Sequence, residues 1–342
     1  MSMKQEKLHD ISDDMFQPAD IDSLENEQIA RESTGFWKDA WRRLTKNPGA
    51  ITGLIIIIAI ILLAIFGPGM NEHSYSEQEL TRAKLPAKVP VLENIGFLGV
   101  NGVDIRGTDQ YEAKGYEDEY FWFGTDEFGR DQWTRVWQGT RISLFIAAAA
   151  AFIDFVIGVA YGGISAYYGG RVDNYLQRII EVLIGIPNLI LIILFILIFE
   201  PGIFSIILAL SVTGWIGMSR IVRGQVLKLK TQEFVLASRT LGATSGRVIG
   251  KHLIPNVLGQ IIITTMFTIP SAIFFEAFLS FIGLGLRPPE ASLGSIINNG
   301  FKSLQIYPHL VLWPSIIISL IMIAFNLLGD GLRDAFDPKL RK

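Results

Sequence analysis

Few residues of this 342-residue chain combine chemistry with a telling position. Asp154, Glu181 and Glu276 are acids inside or beside long apolar runs, where an ionisable group is costly and often marks an ion or substrate path. Glu181, however, stands three residues from Arg178, the spacing of an ion pair on a helix surface. Gly300-Phe301-Lys302-Ser303 is the nearest approach to a phosphate loop, but Phe301 separates the glycine from the lysine and no strand precedes it. His9, His73, His252 and His309 show no metal-ligand spacing. The absence of cysteine excludes disulfides, thiolate metal sites and cysteine nucleophiles. The expectation is no catalytic residue, no metal and no cofactor held by this chain. Pro187 and Pro270 lie within apolar runs, as packing kinks or as pivots of a gate.

These residues are carried by elements that belong in a membrane. Half of the chain is hydrophobic and 18% is charged, and the mean hydropathy is positive. A helix crossing a hydrocarbon core of roughly 30 Å needs about 20 mostly apolar residues. Runs over 50–66, 142–161 (continuing towards 168), 175–199, 203–218, 257–282 and 310–328 meet that need, with Glu200-Pro201-Gly202 as a tight turn between the third and fourth. The fold class is therefore all-α, a polytopic transmembrane protein of about six spans. Lys38, Arg42, Arg43 and Lys46 precede the first span, and Arg171 and Arg178 lie between the second and third. Arg220, Arg223, Lys228, Lys230, Arg239, Arg247 and Lys251 lie between the fourth and fifth, and Arg333, Lys339, Arg341 and Lys342 follow the sixth. Six spans put all of these on one side, so both termini are expected in the cytoplasm. A net charge of −3 gives no reason to expect nucleic acid.

The organisation follows: a disordered cytoplasmic leader at 1–35, an interfacial elbow helix at 36–47, and span one at 48–68. Next come an acid-rich, loosely ordered outer segment at 69–138, a five-span core at 139–332 and a cytoplasmic tail at 333–342. Within the core, the cytoplasmic loop 220–256 carries two short helices. Helical spacing puts Phe234, Ala237 and Leu241 on one face, and Gly242 stops the helix in a left-handed conformation. Thr244 or Ser245 caps the second helix, which stops at Pro255. Small residues on such a lug let another surface approach closely. Gly162-Gly163 is read as a close helix contact and Gly169-Gly170 as a turn.

The loop resembles the coupling loop of binding-protein-dependent ABC importer permeases. Glu233, Ala237, Ser238, Gly242 and Pro255 carry the pattern, with Ser238 for a second alanine, His252 at a hydrophobic position and Ile254 for leucine. Phe123-Gly124-Thr125-Asp126-Glu127-Phe128-Gly129-Arg130-Asp131, Phe278-Leu279-Ser280-Phe281-Ile282-Gly283-Leu284-Gly285 and Leu328-Gly329-Asp330-Gly331-Leu332-Arg333-Asp334 are similar to C-type permease subunits of oligopeptide and dipeptide importers. The likeness implies a type I ABC importer permease fold in the plasma or inner membrane, forming half of a peptide pathway. It implies a homologous second permease subunit, an extracytoplasmic solute-binding protein and surrounding lipid. It also implies two ATPase subunits, holding ATP and Mg, docked on Glu233, Phe234, Ala237, Ser238, Leu241, Gly242, Ala243 and Pro255. Pathway or gate candidates are Glu276, Asp154, Pro187 and Pro270. A nickel permease of the same family and an ion-gradient transporter are the alternatives.

Overall fold

The computed structural model describes residues 35–90 and 100–337. Nearly all of the expected leader (1–34), residues 91–99 and the end of the tail (338–342) lie outside the described residues. The residues from Ala40 onward form one compact unit. Among the described residues there are helices and isolated bridges but no strands.

Helix α1 (Phe36–Leu44) precedes α2 (Pro48–Phe66). Asn47 caps α2 by accepting from the Ala50 amide at 3.2 Å, and Pro48 occupies the first turn, where its missing N–H does no harm. The long helix α4 (Gln132–Tyr168) follows the acid-rich segment, which holds the one-turn α3 (Gln110–Lys114). Asp131 caps α4 by accepting from the Thr134 amide at 2.8 Å. The helix starts before the expected 142, because its first turns (Gln132, Thr134, Arg135, Thr140) are buried rather than solvated. Its 37 residues span about 55 Å at about 1.5 Å each.

Gly169 and Gly170, both at positive φ, turn the chain into α5 (Gly170–Gly185). The expected third span is not one helix. The chain breaks at Ile186-Pro187 and resumes at 84° as α6 (Asn188–Phe199). Pro187 has no N–H to continue the ladder, and it pushes Ile186 into an extended conformation (φ −96°, ψ 128°). It is thus an end of a helix, not a kink within one, and it divides the expected third span into two pieces. Beyond the Glu200 turn, α7 (Ile203–Ser211) and α8 (Trp215–Leu229) run on as one apolar length, past the expected end at 218. The loop then carries α9 (Glu233–Thr240), α10 (Ser245–Arg247) and a π-turn (Val248–Leu253). It leads into α11 (Ile254–Phe281), followed by α12 (Leu293–Phe301) and α13 (His309–Phe336).

Five helical lengths among the described residues can cross a membrane, and the bent α5–α6 pair, counted as one broken span, makes a sixth. Lys230 Nζ donates to the Ala166 carbonyl at 2.7 Å, so the end of α8 lies beside the end of α4, where α5 begins. Pro201, just past α6, shares a cavity with Gln78, Phe128 and Arg130, next to where α4 starts. The pair therefore travels the length of α4 despite its bend. Helices α4 and α8 approach closely because a Cβ on Gly162 would collide with the Ser219 carbonyl and lie 3.1 Å from the Arg223 amide.

The described part of the segment between α2 and α4 is folded, not loose. Leu85, Tyr111 and Phe121 make a small buried core. The acids that suggested a solvated loop build its turns: Asp104 accepts from the Arg106 and Thr108 amides, Asp109 caps α3, and Glu119 pairs with Arg82 at 2.7 Å.

Candidate functional site

The lug begins where α8 ends. Helix α9 closes with Leu241 N–H donating to the Ala237 carbonyl and Ala243 N–H to that of Ser238, and Gly242 takes φ +82° as expected. Glu233, Phe234, Ala237, Leu241, Gly242 and Pro255 are exposed, and Ser238 and Ala243 are half-buried. Leu241 is 88% exposed, an unusual state for leucine beside an exposed phenylalanine. What holds α9 down is Val235, fully buried among Val226, Val248 and Leu253. Sequence spacing missed it, since Val235 is one apolar residue among several. The second lug helix does not stop at Pro255. It runs through into α11, and the wider π-turn just before it gives room to a proline that lacks the donor for an α-turn.

The base of the lug is tied to the α4–α5 turn. Arg223 makes a fork with Asp173 (Nε to Oδ1 2.7 Å, Nη2 to Oδ2 2.6 Å), and Ser165 Oγ donates to the same carboxylate at 2.5 Å. Arg223 is thus more than a topology marker, and Asp173 was overlooked. Its signal was a lone acid in a basic connection. Glu181 pairs with Arg178 at 2.7 Å on an exposed surface, as the spacing suggested.

The two remaining acids differ sharply. Glu276 is 0% exposed and receives Ser143 Oγ at 2.7 Å and Ser280 Oγ at 2.8 Å, while Ser292 Oγ donates to Ser280 at 3.1 Å. This network joins α4, α11 and the cap of α12. Asp154 lies instead in a cavity of about 320 Å³ with Asn188, Thr264, Thr268 and Ser271. The structure therefore does not bring Glu276 and Asp154 into one site. Pro187 sets the bend that delivers Asn188 to the cavity, whereas Pro270 is buried inside unbroken α11. Among the described residues no group of acids and histidines is arranged to hold a metal ion.

Residues 155–342 match the family model of the binding-protein-dependent transport system inner membrane component, and 35–87 match that of the N-terminal TM domain of oligopeptide transport permease C. The chain belongs to this family of membrane components. As a family member it is a multi-pass transport permease. It is similar to the oligopeptide transport system permease protein OppC of Bacillus subtilis, at 44% identity over 98% of this chain and 100% of that one. It is 45% identical to the dipeptide transport system permease protein DppC of the same organism, over 98% and 96% of the two chains. The OppC protein of Escherichia coli K12 is 35% identical over 96% and 100%. The full-length relatives match across the lug and the candidate spans of this permease.

Proposed function

We propose that this permease forms half of the membrane pathway of an ATP-driven importer of oligopeptides or dipeptides. It works beside a homologous permease subunit, receives peptide from an external solute-binding protein, and docks two ATPase subunits on the cytoplasmic side. The names of its relatives support the substrate class. The observation that carries the coupling role is the lug, where Phe234, Ala237 and Leu241 face outward on a stem pinned by Val235 and by the Arg223–Asp173 fork.

The mechanism follows from how the lug is mounted. It lies between α8 and the helix that becomes α11, and α8 is locked to α4 at Gly162. A push on α9 as the ATPase subunits close around ATP moves these long helices together, rather than bending a free loop. Such a push switches the pathway between inward and outward access. The basic residues of the lug and of the α4–α5 turn support a cytoplasmic position for this end.

Glu233→Lys and Leu241→Asp change exposed lug residues without touching the buried stem. Both are expected to strip the ATPase subunits from the purified complex and to lower peptide uptake at least tenfold, with the second permease still bound. Full ATPase retention in both variants, with uptake intact, contradicts this docking role.

A further inference from the structure

Asp154 lines its cavity with no ion pair or hydrogen bond to Oδ1 among the described residues. It is 4% exposed. Gly214 makes room for it, since a Cβ there would lie 2.7 Å from the Asp154 Cγ and Oδ1. Among the described residues no lysine, arginine or histidine lines the cavity. An isolated carboxylate at this depth is strongly disfavoured unless it is protonated or meets a cation, so a cationic ligand entering the cavity gains a counter-charge there.

The rest of the lining selects which kind. Thr264 Oγ1 donates to the Gln260 carbonyl at 2.8 Å, Thr268 Oγ1 to the Thr264 carbonyl at 3.0 Å, and Ser271 Oγ to the Phe267 carbonyl at 3.0 Å. Each hydroxyl has spent its proton on its own helix, so each offers only lone pairs to a ligand. The Thr213 hydroxyl donates to Asn188 Oδ1 at the same wall. A carboxylate sharing one cavity with acceptor hydroxyls and with a phenylalanine wall from Phe267 and Phe275 suits a compact donor of several N–H bonds on an apolar body. That is a primary ammonium. The volume of about 320 Å³ suits the end of a chain rather than a whole oligopeptide. The break at Pro187, which opens α5–α6 here, is the sort of discontinuity that binding sites within the membrane use.

We infer that Asp154, in the cavity it shares with the Thr264, Thr268 and Ser271 hydroxyls, binds the N-terminal ammonium group of the peptide in transit. This deepens, and rests on, the peptide reading above. Free peptides carry that group whatever their side chains, so a site for it serves a transporter that accepts many sequences.

The test uses the assembled permease–ATPase complex without the solute-binding protein, whose own selectivity would otherwise intervene. Millimolar trialanine is expected to raise the unfolding temperature of the wild-type complex by a few degrees, and N-acetyl-trialanine is not. Asp154→Asn is expected to abolish the trialanine shift while leaving the peptide-free complex at least as stable, because it removes an unpaired buried charge. In the full importer it is expected to cut trialanine uptake at least tenfold. A shift retained in Asp154→Asn, or equal shifts from both peptides, overturns the assignment. So does a loss of stability or of the second permease in Asp154→Asn, which would make Asp154 the partner of a lysine in the assembly. If the wild-type importer takes up no trialanine, the peptide reading itself fails and this inference falls with it. If wild type and Asp154→Asn transport it equally, only the ammonium site fails.

Discussion

Two acids of one membrane protein show that burial alone does not define a role. Glu276 has its needs met inside the protein: two serine hydroxyls donate to it, and a third serine steadies one of them. Removing it leaves those hydroxyls facing a void. Glu276→Ala is expected to destabilise the purified complex by about 2–3 kcal/mol, from the lost cavity filling and hydrogen bonds together. Glu276→Gln keeps the shape and an acceptor, and is expected to cost less than about 1 kcal/mol. Thermal unfolding of the two variants checks this. An unchanged midpoint in Glu276→Ala together with lost uptake would move Glu276 from the packing to the pathway.

At the scale of elements, the folded segment between α2 and α4 hangs on Tyr111. Its ring is buried, Lys88 Nζ sits 4.9 Å from the ring centroid, and its hydroxyl donates to the Pro86 carbonyl at 2.8 Å. Burial raises the phenol above its ordinary range, so it stays protonated and donating. Tyr111→Ala is expected to remove about 3–5 kcal/mol from this small core, and Tyr111→Phe about 1 kcal/mol. Limited proteolysis reads the difference: Tyr111→Ala opens the segment to cleavage while the membrane helices stay intact, and Tyr111→Phe does not. Hydropathy made the crossings legible because an unbroken apolar length has few other stable uses. It was blind to this segment, where three scattered residues form the core and acids serve as turn acceptors. Prolines were equally ambiguous. Pro270 and Pro314 sit inside continuous helices while Pro187 ends one, a difference set by packing rather than by neighbouring residue types. The stop at Gly242 was readable from a conformation that glycine favours, but Val235 was one apolar residue among several and Asp173 acts through Arg223, on an element distant in sequence.

For the whole molecule, the count of crossings decides which ends face each other. Between the α2–α4 segment and the lug stand α4, the α5–α6 pair and the α7–α8 length. If the bent pair dipped in and returned, two crossings would separate segment and lug, leaving both on one side. If it crosses, as its positions beside both ends of α4 require, three crossings separate them and they face opposite compartments. The chain has no cysteine, so single cysteines can be placed without background. Ile105 in the segment is 61% exposed and Leu241 in the lug 88%. In intact cells, Ile105→Cys is expected to react nearly completely with a membrane-impermeant maleimide. Leu241→Cys is expected to remain at background until the membrane is permeabilised. Labelling of both from outside would make α5–α6 a re-entrant loop and five the number of crossings. It would also remove the lug from the compartment that holds ATP, and the coupling role with it.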